Sequence, residues 1–293
     1  MADSNEKYLV RSAQLGNDMD DVGKSAQVVD DLSLDDYIDS VSRKDKAKKG
    51  LKIDFAALSR KGFIDPAAPR NQLIEEYRKI KRPLLNNAFG LSSALVDKGN
   101  LIMVTSSVAN EGKTFTSINL AISCAMELDK TVLLVDVDLL KPSLFKTLGL
   151  PSPLGVSDYL AGNVSDISTV MLRTNIENLA MISAGTLFGT STELLSSDKM
   201  LELMGELQGR YKDRVIIFDS SPLLVSNEAK LLSELVGQVV MVVESGKTRQ
   251  NDLMTALEQL SSDACVNFVL NKCKYENKGG GYYYYNYSSS DDT

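Results

Sequence analysis

Short runs of Val, Ile and Leu alternate with longer segments of helical spacing between residues 101 and 272. A short continuous apolar run is typical of a buried β-strand, and apolar residues that recur every three or four positions are typical of a helix. Six runs predict strands: LIMVTSS (101–107), TVLLVDVD (131–138), NLAMISAG (178–185), RVIIFDSS (214–221), VGQVVMVVES (236–245) and CVNFVLNK (265–272). Helical stretches separate most of them, among them KTFTSINLAISCAMEL (113–128), TELLSSDKMLELMGELQG (192–209) and RQNDLMTALEQL (249–260). This alternation favours an α/β fold with a mostly parallel central sheet covered by helices on both faces.

The flanks of this alternating region have a different composition. Residues 1–68 are polar, with acidic stretches and the basic run SRKDKAKKGLK, and we predict that they are mostly disordered. Residues 69–274 form the predicted folded domain, which opens with a helix over PRNQLIEEYRKIKRPLLNNAF. Pro83 is expected to end or kink that helix. Residues 275–293 are rich in Gly and Tyr, lack apolar periodicity and predict a flexible tail.

Composition and charge exclude several classes of function. The chain has 293 residues and a net charge of −7, which disfavours general binding of nucleic acid. It contains no histidine, which removes histidine-based acid–base catalysis and histidine metal sites. Its three cysteines form no CxxC pair, so neither a disulfide framework nor a zinc ribbon is expected. Since no leader and no run of 18 apolar residues is seen, we expect a cytoplasmic protein, which a partner or a surface would have to hold in place if it works at a membrane.

The junction between the first predicted strand and its helix reads SVANEGKT (107–114). It matches the phosphate-binding pattern GxxxxGK[ST] at Gly112, Lys113 and Thr114, with Ser107 in place of the usual first glycine. In such a loop, backbone N–H groups and a helix N-terminus surround a phosphate. Lys113 would reach the β- and γ-phosphates of ATP, and the Thr114 hydroxyl would ligate Mg²⁺. The expected ATP-binding residues of this segment are Ser107, Asn110, Glu111, Gly112, Lys113, Thr114 and Phe115.

Acidic residues end two of the predicted strands. Asp136 and Asp138 close VLLVDVD, and Asp219 follows VIIF. Ligands of open parallel sheets bind at the carboxyl ends of the strands, where a carboxylate can hold Mg²⁺ directly or through water. Asp219 is therefore the candidate for the Walker B aspartate. Asp136 and Asp138 point to the same face if their strand stays regular, and the alternative is that one of them only caps the next helix.

Three motifs in this order resemble those of a known family. SVANEGKT, VLLVDVDLLKP and VIIFDSSP are similar to the Walker A, A′ and B motifs of bacterial tyrosine kinases, which are deviant P-loop ATPases related to MinD and ParA. The resemblance covers roughly residues 70–293. It is greatest to the exosortase-associated tyrosine autokinases of exopolysaccharide loci, through the EEYRKIKRPLL and GKTFTSINLA helices and the Gly/Tyr-rich end. It implies a P-loop NTPase fold.

The resemblance also implies a protein-tyrosine autokinase that uses ATP and Mg²⁺. Lys113, Asp136, Asp138 and Asp219 would be its catalytic residues. Asp136 would be the base that receives the tyrosine proton. Thr114, Asp138 and Asp219 would organise the metal ion.

Two further groups of residues follow from the resemblance. Glu75, Arg78 and Lys81 match an ExxRxx[RK] helix that joins neighbouring subunits in a ring, and their spacing of three predicts one shared helix face. Plain solvent exposure of that face is the alternative. Asn271, at the end of the last strand, would contact the adenine.

The tail carries the expected substrate of such a kinase. A flexible stretch of about 20 residues reaches roughly 25 Å, far enough to enter the site of a neighbouring subunit. Autophosphorylation is therefore expected in trans at Tyr282, Tyr283, Tyr284, Tyr285 and Tyr287. Since each phosphate adds about −1.5 to −2 of charge, modification is also expected to drive subunits apart. The resemblance implies three partners: copies of the chain itself, a separate membrane polysaccharide co-polymerase in exopolysaccharide synthesis or export, and a tyrosine phosphatase.

Two other functions stay open at this point. A ParA/MinD-type positioning ATPase would carry a signature lysine five residues before the P-loop lysine, where this chain has Val108. A non-catalytic nucleotide sensor that regulates a polysaccharide export complex would use the same nucleotide-binding residues. An iron–sulfur carrier ATPase is excluded because the chain lacks a CxxC pair.

Overall fold

The computed structural model describes residues 50–90, 95–187, 191–211, 213–261 and 264–273. The strands within these ranges are β1 Leu101–Ser106, β2 Thr131–Asp136, β3 Leu172–Arg173, β4 Leu179–Ile182, β5 Arg214–Asp219, β6 Gln238–Glu244 and β7 Cys265–Asn271. The helices are α1 Phe55–Ser59, α2 Gln72–Phe89, α3 Lys113–Ala125, α4 Leu144–Thr147, α5 Val156–Leu160, α6 Ser191–Leu195, α7 Asp198–Arg210, α8 Asn227–Leu235 and α9 Gln250–Leu257. None of the helices in the described ranges has the length and apolar character needed to cross a bilayer.

The strands form one mostly parallel sheet, which confirms the predicted fold class. Their spatial order is β3-β4-β2-β5-β1-β6-β7, and only the β3–β4 pair is antiparallel. Parallel neighbours need a crossover connection, and the helices supply it. β1 lies between β5 and β6, so the loop that follows β1 emerges near the middle of the sheet.

Both faces of the sheet are covered, as the continuous apolar strands predict. Along β1, Leu101 and Met103 belong to the core on one face, and Ile102 and Val104 belong to the core on the other. This alternation is the period of two that a strand imposes. The first core contains residues of α5, α7, α8 and α9, and the second contains residues of α1, α2, α3 and α4. These four apolar side chains of β1 are therefore excluded from solvent.

Residues 50–68 are folded, although the sequence pattern assigns them to the disordered segment. Leu58, Phe63 and Ile64 are buried in the core that contains α3. The ring of Phe63 lies 4.9 Å from the ring of Phe115, at the start of α3. These apolar residues are interspersed with charged ones, so no regular periodicity reveals them. Tertiary contacts with α3 give this segment its structure.

Pro83 lies inside α2 and does not end it, so of the two expected outcomes, an end or a kink, the first is wrong. The helix continues past Pro83 to Phe89. The proline ring is exposed, and so is Lys79, whose carbonyl loses its usual N–H partner. Water can hydrogen-bond that carbonyl. Buried Tyr77 and Leu84 on the opposite side hold both halves of the helix against the core.

Two smaller features also differ from the pattern. The segment 192–209 forms two helices, α6 and α7, because Ser197 caps the second one by accepting the N–H of Met200 at 3.3 Å. The antiparallel edge strand β3 has only two residues, too few for a hydrophobic pattern. Neither difference changes the layers of the fold.

Candidate active site

The phosphate-binding loop joins β1 to α3 and has a shape that requires its glycine. Gly112 has a φ of +102°, and a Cβ atom there would lie 2.0 Å from Asn271 Nδ2. Both the left-handed backbone and the close approach demand a residue without a side chain. Gly112 is also the N-cap of α3 and has no side chain that could accept a hydrogen bond. The first-turn N–H groups of α3 are therefore available to an anion.

Side chains from the loop and from the end of β7 hold the loop in place. Glu111 is 1% exposed, and its Oε2 accepts the N–H of Val108 at 2.9 Å. Asn271 Nδ2 donates to the Glu111 carbonyl at 2.9 Å. Lys272 Nζ donates to the carbonyl of Asn110 at 2.6 Å. The resemblance assigns Asn271 to the adenine. In the structure its side chain stabilises the phosphate-binding loop through the Glu111 carbonyl.

Lys113 and Thr114 open α3 at the rim of a cavity. Burial lowers the pKa of Lys113, and the nearby carboxylates of Asp219, Asp138 and Glu111 oppose that shift. The Thr114 hydroxyl lies 2.8 Å from Ser143 Oγ. Lys113, which is expected to bind phosphate, is therefore buried near carboxylates. The Thr114 hydroxyl beside it contacts Ser143, in the segment that follows β2.

Asp136 and Asp219 lie side by side because β2 and β5 pair in register at these two residues. Each is 1% exposed. Burial raises the pKa of Asp219 to about 6, and the hydroxyls of Thr114 and Ser117 partly offset this. Burial, together with the neighbouring Asp219, raises the pKa of Asp136 well above its usual value. The parallel sheet thus brings together two carboxyls that are 83 residues apart in the chain.

The predicted base, Asp136, faces the interior. Its Oδ1 accepts the N–H of Asp138 and its Oδ2 accepts the N–H of Leu144, both at 3.2 Å. Asp138 instead lines the cavity, where its Oδ1 accepts the Ser221 hydroxyl at 2.7 Å and the N–H of Lys141 at 3.0 Å. The two aspartates therefore differ in their surroundings: Asp136 accepts backbone N–H groups of the segment after β2, and Asp138 lies on the wall of the cavity.

The side-chain oxygen atoms of Asp219, Thr114 and Asp138 fit a magnesium ion. Asp219 Oδ1 accepts the Ser117 hydroxyl at 2.9 Å, while its buried Oδ2 has no hydrogen bond of regular geometry among the described residues. A buried carboxylate oxygen of this kind is costly unless a ligand satisfies it. Thr114 and Asp138 supply further oxygen atoms nearby. Mg²⁺ in phosphate-binding sites takes one or two carboxylates and completes its shell with phosphate oxygens and water.

The cavity has the size of a nucleotide site. Its volume is about 470 Å³, within the range of roughly 300–1,000 Å³ that is usual for ligand pockets. It is lined by Ala109, Asn110, Gly112, Lys113, Thr114, Phe115, Asp138, Leu140, Lys141, Ser143, Ser221, Pro222, Val225 and Lys272. The structure thus brings five of the seven predicted loop residues, together with Asp138, to one cavity. The other two, Ser107 and Glu111, are buried beneath the loop, Asp136 and Asp219 are buried as well, and none of these four nor Asn271 lines the cavity.

Several lining residues were not predicted. Lys141 and Ser143 follow β2, Ser221 follows β5, and Lys272 directly follows β7. They could have been found by the rule that ligands bind at the carboxyl ends of parallel strands. Their residue types alone gave no signal.

The three residues of α2 that match the ExxRxx[RK] pattern do not share one face. Arg78 Nη1 and Glu75 Oε1 form an ion pair at 2.8 Å at the surface. Lys81 is 4% exposed, pairs with Glu127 at 2.6 Å and donates to the carbonyl of Ser123. Residues six apart in a helix are separated by about 120° around its axis, so the third member turns inward. Lys81 therefore holds α2 to α3 within the chain, which corrects the prediction that it shares a face with Glu75 and Arg78.

The tyrosines predicted as phosphorylation sites lie outside the described residues. They are Tyr282, Tyr283, Tyr284, Tyr285 and Tyr287. The acidic and basic stretches before residue 50 lie outside as well.

Comparison with known proteins decides the family. The chain is 30% identical to tyrosine-protein kinase YwqD of Bacillus subtilis over 203 residues, which cover 69% of this chain and 81% of YwqD. The chain belongs to the bacterial tyrosine-protein kinases. This kinase is also 33% identical to CpsD of Streptococcus pneumoniae over 179 residues, 60% of this chain and 77% of CpsD. No family model matches it.

The lengths of the relatives differ widely. The kinase is 31% identical over 260 residues to the tyrosine-protein kinase Ptk of Acinetobacter johnsonii, which covers 87% of this chain but only 33% of Ptk. Among solved structures, the kinase domain of VpsO aligns with a TM-score of 0.55 at 28% identity, covering 70% of this chain and all of that one (100%). The chimerical protein CapA2B2 aligns with a TM-score of 0.59 at 24% identity, covering 78% and 97%. At that identity the likeness shows the fold alone, a P-loop α/β domain.

Proposed function

We propose that this kinase is an ATP-dependent tyrosine autokinase that acts in trans within an oligomer. It transfers the γ-phosphoryl group of Mg-ATP to the hydroxyls of Tyr282, Tyr283, Tyr284, Tyr285 and Tyr287 of a neighbouring copy. One observation carries the proposal. The Lys113 ammonium and the carboxylates of Asp138 and Asp219 converge at the carboxyl ends of β1, β2 and β5, at a cavity of nucleotide size.

Phosphoryl transfer requires that the phosphates be held and their charge neutralised. Lys113 and the first-turn N–H groups of α3 would hold the β- and γ-phosphates. Thr114 and Asp219 would hold Mg²⁺. The ion would satisfy the buried Asp219 Oδ2, which has no hydrogen bond of regular geometry within the part of the chain that the structure describes. Mg-ATP, when bound, supplies the phosphoryl group and part of the neutralising charge.

The incoming tyrosine must lose its proton to a group within hydrogen-bond reach. We assign this role to Asp138, because it lines the cavity. Asp136, the base that the resemblance implies, lies behind it and accepts the N–H of Asp138. Asp136 would then act by positioning Asp138, since both of its carboxylate oxygens already accept backbone N–H groups.

The biological setting belongs to the same proposal. Relatives include a putative tyrosine-protein kinase in the cps region of Klebsiella pneumoniae and kinases named EpsB and CpsD. We propose that this kinase regulates exopolysaccharide synthesis or export and works in the cytoplasm. A membrane polysaccharide co-polymerase would recruit it to the inner membrane, and a tyrosine phosphatase would reset its tail. The exposed pair Glu75 and Arg78 would contribute to contacts between copies.

Mass spectrometry of the purified protein tests the chemistry. The protein is treated with phosphatase, the phosphatase is removed, and the protein is incubated with Mg-ATP beside Lys113→Met and Lys61→Met variants. Lys61 is exposed and lies outside the cavity lining, so its variant is the matched control. Phosphate on the tail tyrosines of the wild type and of Lys61→Met, but not of Lys113→Met, is the expected result.

Mixing two complementary variants, one without a working site and one without tail tyrosines, tests transfer between copies. One chain carries Lys113→Met with its tail intact, and the other is active but has phenylalanine at all five tail positions. Phosphate on the first chain requires transfer in trans. If the wild type binds Mg-ATP yet forms no phosphotyrosine, even with a co-polymerase fragment added, the kinase proposal fails and a nucleotide sensor is favoured.

A further inference from the structure

A buried carboxylate inside the phosphate-binding loop is held from a distant part of the chain. Glu111 Oε2 accepts the N–H of Val108, as described above. Its other oxygen, Oε1, accepts the hydroxyl of Thr248, which lies 137 residues away. Thr248 belongs to the connection between β6 and α9 and is half-buried. Both oxygens of Glu111 are thus engaged, one within the loop and one outside it.

The direction of the second hydrogen bond follows from the other contacts of Thr248. Its Oγ1 accepts the N–H of Glu244 at 2.9 Å. A hydroxyl that accepts a backbone N–H keeps its own proton for a different acceptor, and an ionised carboxylate only accepts. Thr248 therefore donates to Glu111. One hydroxyl ties the end of β6 to the phosphate-binding loop.

The same end of the sheet contacts the loop at a second point. Lys272 Nζ lies 3.0 Å from Glu244 Oε2 and also donates to the carbonyl of Asn110. Glu244 and Thr248 are thus joined to each other and, through separate groups, to residues 108–111 of the loop. The positive φ of Asn110 places a loop residue in a conformation that needs outside support. The β6–β7 side of the fold provides this support.

We propose that Thr248 is a positioning residue for nucleotide binding, which acts through Glu111 to hold the loop in the shape that receives the phosphates. Thr248 does not line the cavity, so it acts without touching the ligand. The inference rests on the proposed function only in taking Mg-ADP or Mg-ATP as the ligand. The carboxylate of Glu111 has a second effect, since it is one of three that oppose the lowering of the pKa of Lys113 by burial.

The test compares three substitutions by titration calorimetry with Mg-ADP, which needs no phosphoryl transfer. Thr248→Val keeps the shape and removes the hydroxyl, and Thr248→Ser keeps the hydroxyl. Thr174→Val is the matched control, because Thr174 also donates to a carbonyl (Leu179, 2.9 Å) and accepts an N–H (Ile176, 3.0 Å) but lies beside β3 and β4. Leaving a buried charged acceptor unsatisfied predicts an increase in Kd of about tenfold or more for Thr248→Val. Thr248→Ser and Thr174→Val are expected to stay within about twofold of the wild type.

Two outcomes overturn the proposal. One is a Kd for Thr248→Val within twofold of the wild type. The other is equal losses in the valine and serine variants, which would show that the methyl group or general packing matters instead. If Thr248→Val does not fold, Glu111→Gln replaces it: one of its two acceptors becomes a donor, so the same loss is expected and an unchanged Kd refutes the idea. A wild type that binds Mg-ADP but makes no phosphotyrosine would sink the kinase proposal and leave this result intact.

Discussion

Replacing Asp219 with asparagine is expected to stabilise the nucleotide-free protein at neutral pH while removing its kinase activity. Burial raises the pKa of this carboxyl to about 6 from an ordinary value of 3.8. A difference of about 2 units, at 1.36 kcal/mol each, makes ionisation in the folded state cost about 3 kcal/mol more than in the unfolded chain. Asparagine keeps an oxygen for the Ser117 hydroxyl and cannot ionise.

The sign of the pH dependence follows from the raised pKa. Below about pH 3 the carboxyl is protonated in both states, so it brings no penalty there. As the pH rises from about 3 to about 6, the unfolded chain ionises first and the folded state loses stability. Above that window the penalty is constant. The gain from Asp219→Asn should therefore be near zero at pH 3 and about 2–3 kcal/mol at pH 7.5.

Urea denaturation in EDTA, without nucleotide, at these two pH values measures the effect. The midpoint should rise only at pH 7.5, with an unchanged slope. Asp166→Asn is the control, because hydrogen bonds from Ser168 lower the pKa of this exposed carboxyl. Its ionised form is favoured by folding, so its replacement should bring no gain at pH 7.5. An equal gain for Asp219→Asn at both pH values, or a loss at pH 7.5, would refute the reasoning.

Three further results are expected. Lys81→Met should lower the free energy of unfolding by about 1–2 kcal/mol, because it leaves the Ser123 carbonyl without its hydrogen-bond donor. Arg78→Met, at the surface, is the control and should change the free energy of unfolding by less than about 0.5 kcal/mol. Equal melting temperatures for the two variants would contradict this. Gly112→Ala should weaken Mg-ADP binding at least about tenfold, because the backbone there has a positive φ and the added Cβ would clash with Asn271. Gly162 also has a positive φ, +82°, but has open space around it. Gly162→Ala should therefore leave binding unchanged in the same titration. Phenylalanine at all five tail tyrosines should abolish tail phosphorylation but not Mg-ADP binding, and loss of both would argue that the tail is part of the nucleotide site.

Much of the fold could be predicted because its signals are local. Each central strand is a short run of apolar residues. The phosphate-binding loop consists of consecutive residues that end at Thr114. Asp136 and Asp219 could be placed at one edge of the sheet, because parallel strands end at the same side. Their pairing in register confirms that placement.

Helix geometry explains where the prediction of α2 was wrong. A spacing of three residues suggests one face, but the drift over two steps turns Lys81 into the core, where Glu127 and Ser123 contact it. Pro83 is tolerated because it lies on the solvent side of the same helix. The burial of Lys81 and the tolerance of Pro83 both depend on which side of α2 packs against the rest of the protein. The local sequence alone does not predict that side.

The sequence by itself determined six of the seven strands, the phosphate-binding loop and the aspartates that close β2 and β5. These features are encoded in short stretches, and backbone geometry converts them directly into structure. Only the tertiary structure decided that Asp138 rather than Asp136 lines the cavity, and that Thr248 reaches Glu111 across 137 residues. The physical reason is that burial and side-chain direction are set by the packing of elements that are distant in the chain.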